Sequence, residues 1–249
     1  MPPRGLRPIG IALVDKPPGP SSFAVVATLR RRTRARTGHA GTLDPFASGL
    51  LVLLSGAATR LTPCFVGLDK RYVTDVDLTA TTTTGDPEGD VVERHAAPTE
   101  PELGVAVEGL RGQVELRIPA ASAVKIDGER AYKLARRGVE VEMPLRRSVV
   151  HELKVEAYDG TTVRLSMHVS SGTYVRSLAQ SLGGHCTTLR RTAVGPFSVD
   201  EADRDAADAH LLDVGAVLAR LPAEALERVP APVRNGVLAA AATGGTGAA

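Results

Sequence analysis

Two long segments of alternating apolar and polar residues surround the dipeptide Asp159-Gly160, and this pattern constrains the fold more than any other in the chain. Alternation with a period of two predicts half-buried strands over about 148–158 and 161–170. An Asp-Gly pair between such segments favours the tight turn of a β-hairpin. We therefore expect these two strands to pair in antiparallel orientation.

The remaining patterns add further strands and several helices to this hairpin. Apolar runs or alternation predict strands over about 9–14, 50–54, 70–79, 114–126 and 189–194. Helical periodicity and capping residues predict helices over about 23–34, 100–112, 129–137, 174–182 and 206–221, and residues 81–90 are expected to form a loop. Hairpin signals outnumber strand–helix–strand signals. The predicted fold class is therefore α+β, with a mixed, mostly antiparallel sheet flanked by helices.

Length and composition are those of an ordinary globular protein. The chain has 249 residues, of which 43% are hydrophobic and 23% charged. No segment approaches the roughly 18 consecutive apolar residues of a membrane span, and the N-terminus lacks the apolar region of a secretory signal. The two cysteines, Cys64 and Cys186, cannot form a disulfide framework or a four-thiolate zinc site. We expect a cytoplasmic protein that does not contact a membrane.

The near-zero net charge of +2 conceals a gradient along the chain. Residues 1–60 contain nine lysines and arginines but only two acidic residues. Five of the basic residues form one cluster, Arg30, Arg31, Arg32, Arg34 and Arg36. This excess favours an anionic partner, although a solvated helix end would also explain it. With eight aromatic residues in total, a sheet that stacks several RNA bases is not expected.

The segment 38–49 directly follows this cluster and carries the strongest chemical signal. Three glycines in twelve residues let the backbone take unusual angles or approach a ligand closely. Asp44 and His39 stand there among small residues, and a carboxylate beside cations stays ionised and can act as a base or nucleophile. The alternative is that Asp44 caps the next turn and His39 lies at the surface. The spacing is not that of a P-loop or dinucleotide motif, and the acids that an aspartyl-phosphate enzyme needs for magnesium are missing.

The segment resembles the catalytic motif of the TruB family, the bacterial tRNA pseudouridine-55 synthases. Four further motifs resemble those of the family and occur in the same order. They are Asp15-Lys16-Pro17-Pro18-Gly19 with Ser21-Ser22, Lys70-Arg71-Tyr72, Gly172-Thr173-Tyr174-Val175-Arg176 and Leu189-Arg190-Arg191. Together the five motifs span residues 9 to about 197.

The resemblance implies a pseudouridine synthase fold and the isomerisation of one uridine in the T-loop of tRNA. The N-glycosidic bond would break, the uracil would rotate, and a bond from C5 would replace it. On this resemblance, the reaction would require no cofactor and no metal. The partner would be the T-arm of tRNA, the protein would be a monomer, and the target nucleotide would be flipped into a pocket.

The resemblance also implies roles for individual residues. Asp44 would be the essential catalytic carboxylate, by a covalent or a glycal route. Tyr72 would stack on the flipped base, and Arg176 would pair with Asp44. Without the resemblance, Tyr72 is a half-buried strand residue and Arg176 an exposed residue at a helix start.

Four more residues complete the predicted substrate site. Tyr174 would form a wall of the pocket and Leu189 its apolar floor, although Leu189 also fits plain core packing. His39 would insert into or stack on the T-loop, where the alternative is an ordinary loop histidine. Lys16, placed in a turn, would support the active-site loop or contact a phosphate, or be a surface lysine.

Two features modify the match. A second basic group, Lys125, Arg130, Lys133, Arg136 and Arg137, would grip RNA or form a solvated helix face. The central motif, residues 118–125, has Ala121 where the family often has tyrosine, which puts one wall of the pocket in doubt.

We expect a catalytic domain over 1–200, a C-terminal helix with a possible stub of a PUA-type RNA-binding domain over 201–238, and a disordered tail over 239–249.

Two other functions are compatible with the sequence. An RNA chaperone could use the same fold without catalysis, but it would not need Asp44, Tyr72 and Arg176 together. A metal-dependent phosphotransferase could use Asp44, but the acidic partners for a metal are missing.

Overall fold

The structure is a computed structural model that describes residues 8–122, 124–126, 128–131, 137, 139 and 141–244. The chain divides into two compact units. Unit 1 comprises the chain up to Lys70 and the segment from Arg190 onward, and unit 2 comprises Arg71–Leu189. Within the described ranges, no helix has the length and apolar character needed to cross a membrane.

Strands and helices alternate irregularly along the chain. The strands are β1 (Gly10–Lys16), β2 (Thr37–His39), β3 (Ser48–Ser55), β4 (Lys70–Asp77), β5 (Ala80–Thr82), β6 (Val91–Arg94), β7 (Gly112–Arg117), β8 (Lys125–Ile126), β9 (Glu129–Arg130), β10 (Leu145–Tyr158), β11 (Thr162–Val169), β12 (His185–Val194) and β13 (Phe197–Ser198). The α-helices are α1 (Ser22–Thr33), α2 (Thr62–Val66), α3 (Glu100–Gly109), α4 (Val175–Ser181), α5 (Val214–Leu218), α6 (Ala223–Leu226) and α7 (Ala231–Gly244).

Unit 1 is built around β3, which is buried along almost its whole length. β3 pairs antiparallel with β1 and β2, and parallel with the part of β12 that begins at Arg190. Because side chains alternate between the faces of a sheet, β3 contributes to two cores. Leu50, Val52 and Leu54 belong to one core, whereas Leu51 and Leu53 pack on the other side with residues of α1.

The C-terminal helices of unit 1 complete the first of these cores. Val214, Leu218 and Val237 pack in the same cluster as Leu50 of β3. The prediction of one helix over 206–221 is wrong, because Asp213 caps a short helix that starts only at Val214. The prediction of disorder from residue 239 is also wrong up to Gly244, where α7 ends. Alanine is the best helix former, so a segment of low complexity can still continue a helix that is anchored by packing. Residues 245–249 lie outside the described residues.

Unit 2 contains the hairpin that the sequence predicts. β10 and β11 pair antiparallel around Asp159-Gly160, and β7 lies on the other side of β10. The strand order in this unit is β12-β4-β11-β10-β7. Gly128 lies between the two short strands β8 and β9, which pair antiparallel, and Asp127 of the predicted Asp-Gly turn lies outside the described residues. The loop predicted over 81–90 ends in strand β6, which pairs with β5 and which the sequence did not indicate.

Two helices of unit 2 agree with their predicted positions. Thr99 and Glu102 form a capping box at the start of α3, and α4 follows Tyr174 as its N-cap residue. The helix predicted over 129–137 lies mostly outside the described residues, and Ala131 is its one described helical residue. With helices beside mostly antiparallel strands, the α+β fold class is confirmed.

Candidate active site

Asp44 lies on the loop between β2 and β3, and backbone contacts fix the residues on either side of it. The Ser22 hydroxyl donates to the carbonyl oxygen of Leu43 and accepts from the Leu43 amide, each over 2.8 Å. The Gly19 amide donates to the Pro45 carbonyl oxygen at 2.8 Å. Asp44 itself is half-buried. The loop therefore presents a partly accessible carboxylate from an ordered backbone.

Lys16 holds the part of the loop that follows Asp44. Its ammonium group donates to the carbonyl oxygens of Ala47 at 2.6 Å, Pro17 at 2.8 Å and Pro45 at 3.1 Å. The side chain is fully buried, and the residue ends β1 rather than lying in a turn as the sequence predicted. These contacts fit the support role named in the sequence analysis. They do not fit a surface lysine.

Arg191 also holds this loop, and the sequence analysis assigned it no separate role. Its Nε donates to the Leu50 carbonyl oxygen at 2.7 Å, and its terminal nitrogens donate to Gly41 at 3.1 Å and Thr42 at 3.4 Å. Arg191 is 1% exposed. The only signal in the sequence is its place in the Leu189-Arg190-Arg191 motif, which does not reveal that one arginine is buried.

A close approach between strands brings Arg191 to the loop. The backbone of Arg191 pairs with Gly49 at the start of β3. A Cβ atom at Gly49 would lie 2.2 Å from the carbonyl oxygen of Arg191, and Gly49 has a φ of +104°. Only glycine fits both the space and the backbone angle, so this glycine of the motif has a structural reason.

Buried positive charge surrounds the loop in unit 1. Burial and the charge of Arg191 both lower the pKa of His39, while its contact with the Gly41 backbone acts in the opposite direction. Nδ1 of His39 is buried without a hydrogen-bond partner among the described residues. Burial, followed by the charge of Arg191, lowers the pKa of Lys70 to about 7. Lys70 donates to the carbonyl oxygens of Val66 and Leu68.

The arginine cluster at the end of α1 is exposed, as a contact surface for an anion requires. Arg30 lies over the exposed ring of Phe23 at 5.9 Å, and Arg32 donates to the carbonyl oxygen of Ala209. Arg34 ends the helix with a φ of 52°. In the second basic group, Arg137 pairs with Glu129 at 2.8 Å and Lys125 is exposed. The side chain of Arg130 and residues 133 and 136 lie outside the described part of the chain.

Arg176 is buried at the start of α4 in unit 2, and it has an acidic partner there. Its guanidinium lies 3.2 Å from a carboxylate oxygen of Asp86, and both side chains are almost fully buried. It also donates to the carbonyl oxygens of Thr84 at 2.8 Å and Ala121 at 2.9 Å. The interpretation of Arg176 as an exposed residue at a helix start is wrong.

The sequence analysis missed Asp86, which organises the turn that holds Arg176. Its carboxylate accepts from the Thr84 hydroxyl at 2.5 Å and from the Glu88 amide at 3.0 Å. The Thr82 hydroxyl donates to the Asp86 backbone carbonyl at 2.9 Å. The threonine-rich stretch is therefore an ordered turn around a buried carboxylate. An acidic residue shortly after four threonines, far from Arg176 in the chain, was the available signal.

The remaining predicted residues also lie in unit 2. Tyr72 is 9% exposed on β4, and Leu189 is buried on β12. Tyr174 packs against the small core that contains Ile118 and Met143. The Ser122 hydroxyl of the central motif is buried without a hydrogen-bond partner among the described residues. Unit 1 thus contains Lys16, His39 and Asp44, and unit 2 contains Tyr72, Tyr174, Arg176 and Leu189.

Comparison with known proteins gives the family context for this geometry. Residues 30–175 match the family described as TruB family pseudouridylate synthase (N terminal domain). The tRNA pseudouridine synthase B of Mycobacterium sp. (strain KMS) is 46% identical over 206 residues, which cover 78% of this chain and 69% of the relative. The protein of the same name from Aromatoleum aromaticum is 40% identical over 240 residues, covering 92% of this chain and 71% of the relative.

Solved structures show the same fold. A crystal structure of a Cbf5–Nop10–Gar1 complex matches with a TM-score of 0.60 and 31% identity, covering 77% of this chain and 50% of that chain. The archaeal box H/ACA sRNP Nop10–Cbf5 complex matches with a TM-score of 0.56 and 28% identity, covering 79% and 51%. The chain thus spans about half the length of these two solved chains. The family match, the identity to these relatives and the ordered loop around Asp44 lead to one conclusion: the chain belongs to the TruB family of pseudouridylate synthases.

Proposed function

We propose that this protein isomerises a uridine of tRNA to pseudouridine, and that the substrate is the T-loop uridine at position 55. The N1–C1′ bond breaks, the uracil rotates, and a C5–C1′ bond forms. The C5 proton is lost to water while N1 gains one, so the composition of the base is unchanged. Asp44 is the proposed catalytic carboxylate.

The observation that carries this proposal is the loop around Asp44. Contacts from Lys16, Ser22 and Arg191 hold its backbone on both sides of the carboxylate. A catalytic group held in place before the substrate binds avoids the entropic cost of ordering it during the reaction. A carboxylate that only capped a turn would not require three separate supports, so the arrangement favours catalysis over the structural alternative.

The proposed substrate residues follow the family resemblance. Tyr72 stacks on the flipped uracil, Tyr174 and Leu189 enclose it, and Arg176 pairs with Asp44. His39 inserts into or stacks on the T-loop. The depressed pKa of His39 supports this role, because a neutral imidazole stacks on a base without adding charge.

The proposed partner is the T-arm of tRNA, bound by a monomer in the cytoplasm. The exposed arginines at the end of α1 precede the loop of Asp44 and are suited to contact RNA phosphates. We propose that residues 1–200 form the catalytic domain and that residues 201–238 form a C-terminal segment that follows it. Reaction with a single T-loop uridine requires that the nucleotide leaves the folded loop.

Tritium release from a T-arm stem-loop labelled at C5 of uridine tests the proposal. The protein is expected to release tritium, and Asp44→Asn is expected to abolish turnover with RNA affinity nearly unchanged. Asp208→Asn, at an exposed residue of unit 1, is the matched control and is expected to keep full activity. Full activity of Asp44→Asn would overturn the assignment of the catalytic carboxylate.

The same assay separates the two alternative functions. RNA binding without tritium release over hours would favour an RNA chaperone. Loss of activity in a chelator would favour metal-dependent chemistry. Mapping of pseudouridine in the product RNA identifies the position, and a product at a position other than 55 would correct the substrate assignment.

A further inference from the structure

The side chain of Arg191 joins the two ends of the loop that carries Asp44. Gly41 and Thr42 precede Asp44, whereas Leu50 lies in β3 after the loop. One guanidinium donates to the carbonyl oxygens of all three residues. A planar fork with five N–H groups can bind several acceptors in fixed directions, which a lysine ammonium cannot do.

Within the residues that the structure describes, the hydrogen-bond partners of Arg191 are these three carbonyl oxygens. No carboxylate in the described part of the chain forms an ion pair with Arg191, although the residue is 1% exposed. Burial of an unpaired charge is costly unless polar groups compensate for it. Its neighbours in unit 1 include further basic groups, since its charge lowers the pKa of both His39 and Lys70. The loop carbonyls are therefore what offsets the cost of burying this arginine.

We infer that Arg191 is a positioning residue for Asp44: it closes the catalytic loop by binding its two ends, and so sets the place of the carboxylate without touching the substrate. The inference deepens the proposed function and rests on it only for its kinetic readout. It differs from a general stabilising role, because two of the three bonds run to loop residues that precede Asp44 and the third runs to the strand that directly follows the loop.

Two variants remove this closure in different ways. Arg191→Lys keeps the positive charge but loses the fork, and Arg191→Gln loses both. Arg220→Gln is the matched control, because Arg220 also belongs to unit 1 and donates to a backbone carbonyl oxygen, that of Pro196, but does not contact the loop. Thermal unfolding of all variants gives the temperature range in which each is folded, and all other measurements are made within it.

Hydrogen exchange is the first measurement, and it does not depend on activity. Loss of a charge-assisted hydrogen bond changes a local opening equilibrium by roughly tenfold or more. We expect at least tenfold faster exchange over residues 41–47 in both Arg191 variants and unchanged exchange in Arg220→Gln. Unchanged loop exchange in folded Arg191→Gln would overturn the inference, even if the protein proved inactive on tRNA.

Single-turnover kinetics is the second measurement. We expect Arg191→Lys and Arg191→Gln to lower the rate of pseudouridine formation at saturating enzyme at least tenfold, with RNA affinity within about twofold of the wild type. A guanidinium salt should partly restore the rate of Arg191→Gln and should leave the rate of Arg220→Gln unchanged. A normal single-turnover rate in the Arg191 variants would overturn the inference. Absence of product in the wild type would instead refute the proposed function. The hydrogen-exchange result would then be the test of whether Arg191 holds the loop.

Discussion

Replacement of Gly49 by alanine tests whether the close approach of β3 and β12 is as tight as the structure shows. The added methyl group would lie 2.2 Å from the carbonyl oxygen and 2.7 Å from the amide nitrogen of Arg191. Non-bonded heavy atoms attract best at about 3.5–4.0 Å, so the strands must separate by roughly 1 Å or more. The φ of +104° adds about 1–3 kcal/mol of backbone strain for alanine. Overpacking adds about 1–3 kcal/mol, so the expected loss of stability is about 2–6 kcal/mol.

Gly19→Ala is the control that separates these two costs. Gly19 has a φ of +105°, and a Cβ atom there would find nothing within 4 Å. It should therefore lose only the backbone contribution of about 1–3 kcal/mol. Urea unfolding followed by circular dichroism measures both variants, with an unchanged m-value as the sign that the unfolding reaction is the same. Equal losses of stability in the two variants would refute the argument from the clash.

Two further predictions concern buried charges. The pKa of Lys70 is lowered from 10.5 to about 7. Between these two pH values, Lys70 therefore binds more protons in the unfolded chain than in the folded protein. The free energy of unfolding of the wild type relative to that of Lys70→Met should rise from pH 7 to pH 10 by up to ~1.4 kcal/mol per pH unit. Urea unfolding measures this difference, and a difference that does not change with pH would contradict the prediction. Asp86→Asn removes the buried carboxylate that lies 3.2 Å from the guanidinium of Arg176 and should cost about 3–5 kcal/mol. Asp75→Asn, which breaks a pair with a partly exposed arginine, should cost less than about 1 kcal/mol, and similar midpoints for the two variants would count against the buried pair.

Local patterns predicted the parts of the fold that depend on neighbours in the chain. The hairpin of β10 and β11 follows from alternation on both sides of Asp159-Gly160, because paired residues are only 5 to 19 positions apart in the chain, from Tyr158↔Val163 to Val150↔Val169. The start of α1 follows from Ser21, whose side chain accepts from the Ala24 amide as a helix cap. Asp44 was found for a similar reason, since the glycine spacing of its loop is contained in twelve residues.

Contacts over long sequence distances could not be predicted. Arg176 looked exposed because its partner Asp86 lies in a different part of the sequence. Lys16 looked like a turn residue, since only the folded loop supplies the carbonyls of Pro45 and Ala47. The C-terminal helix α7 was missed because its anchor, the burial of Val237 in the core around β3, is a tertiary effect that composition does not contain.

The loop of Asp44 receives its supports at different times during synthesis. Ser22 and Lys16 precede it in the chain, but Arg191 follows Gly41 by 150 residues. A nascent chain that has not yet emerged beyond unit 2 contains β1 and β3, but its catalytic loop lacks the hydrogen bonds from Arg191 to Gly41, Thr42 and Leu50. Contacts of such long range form late, because the chain between them must be ordered first. An incompletely synthesised chain therefore has the carboxylate without the closed loop that positions it.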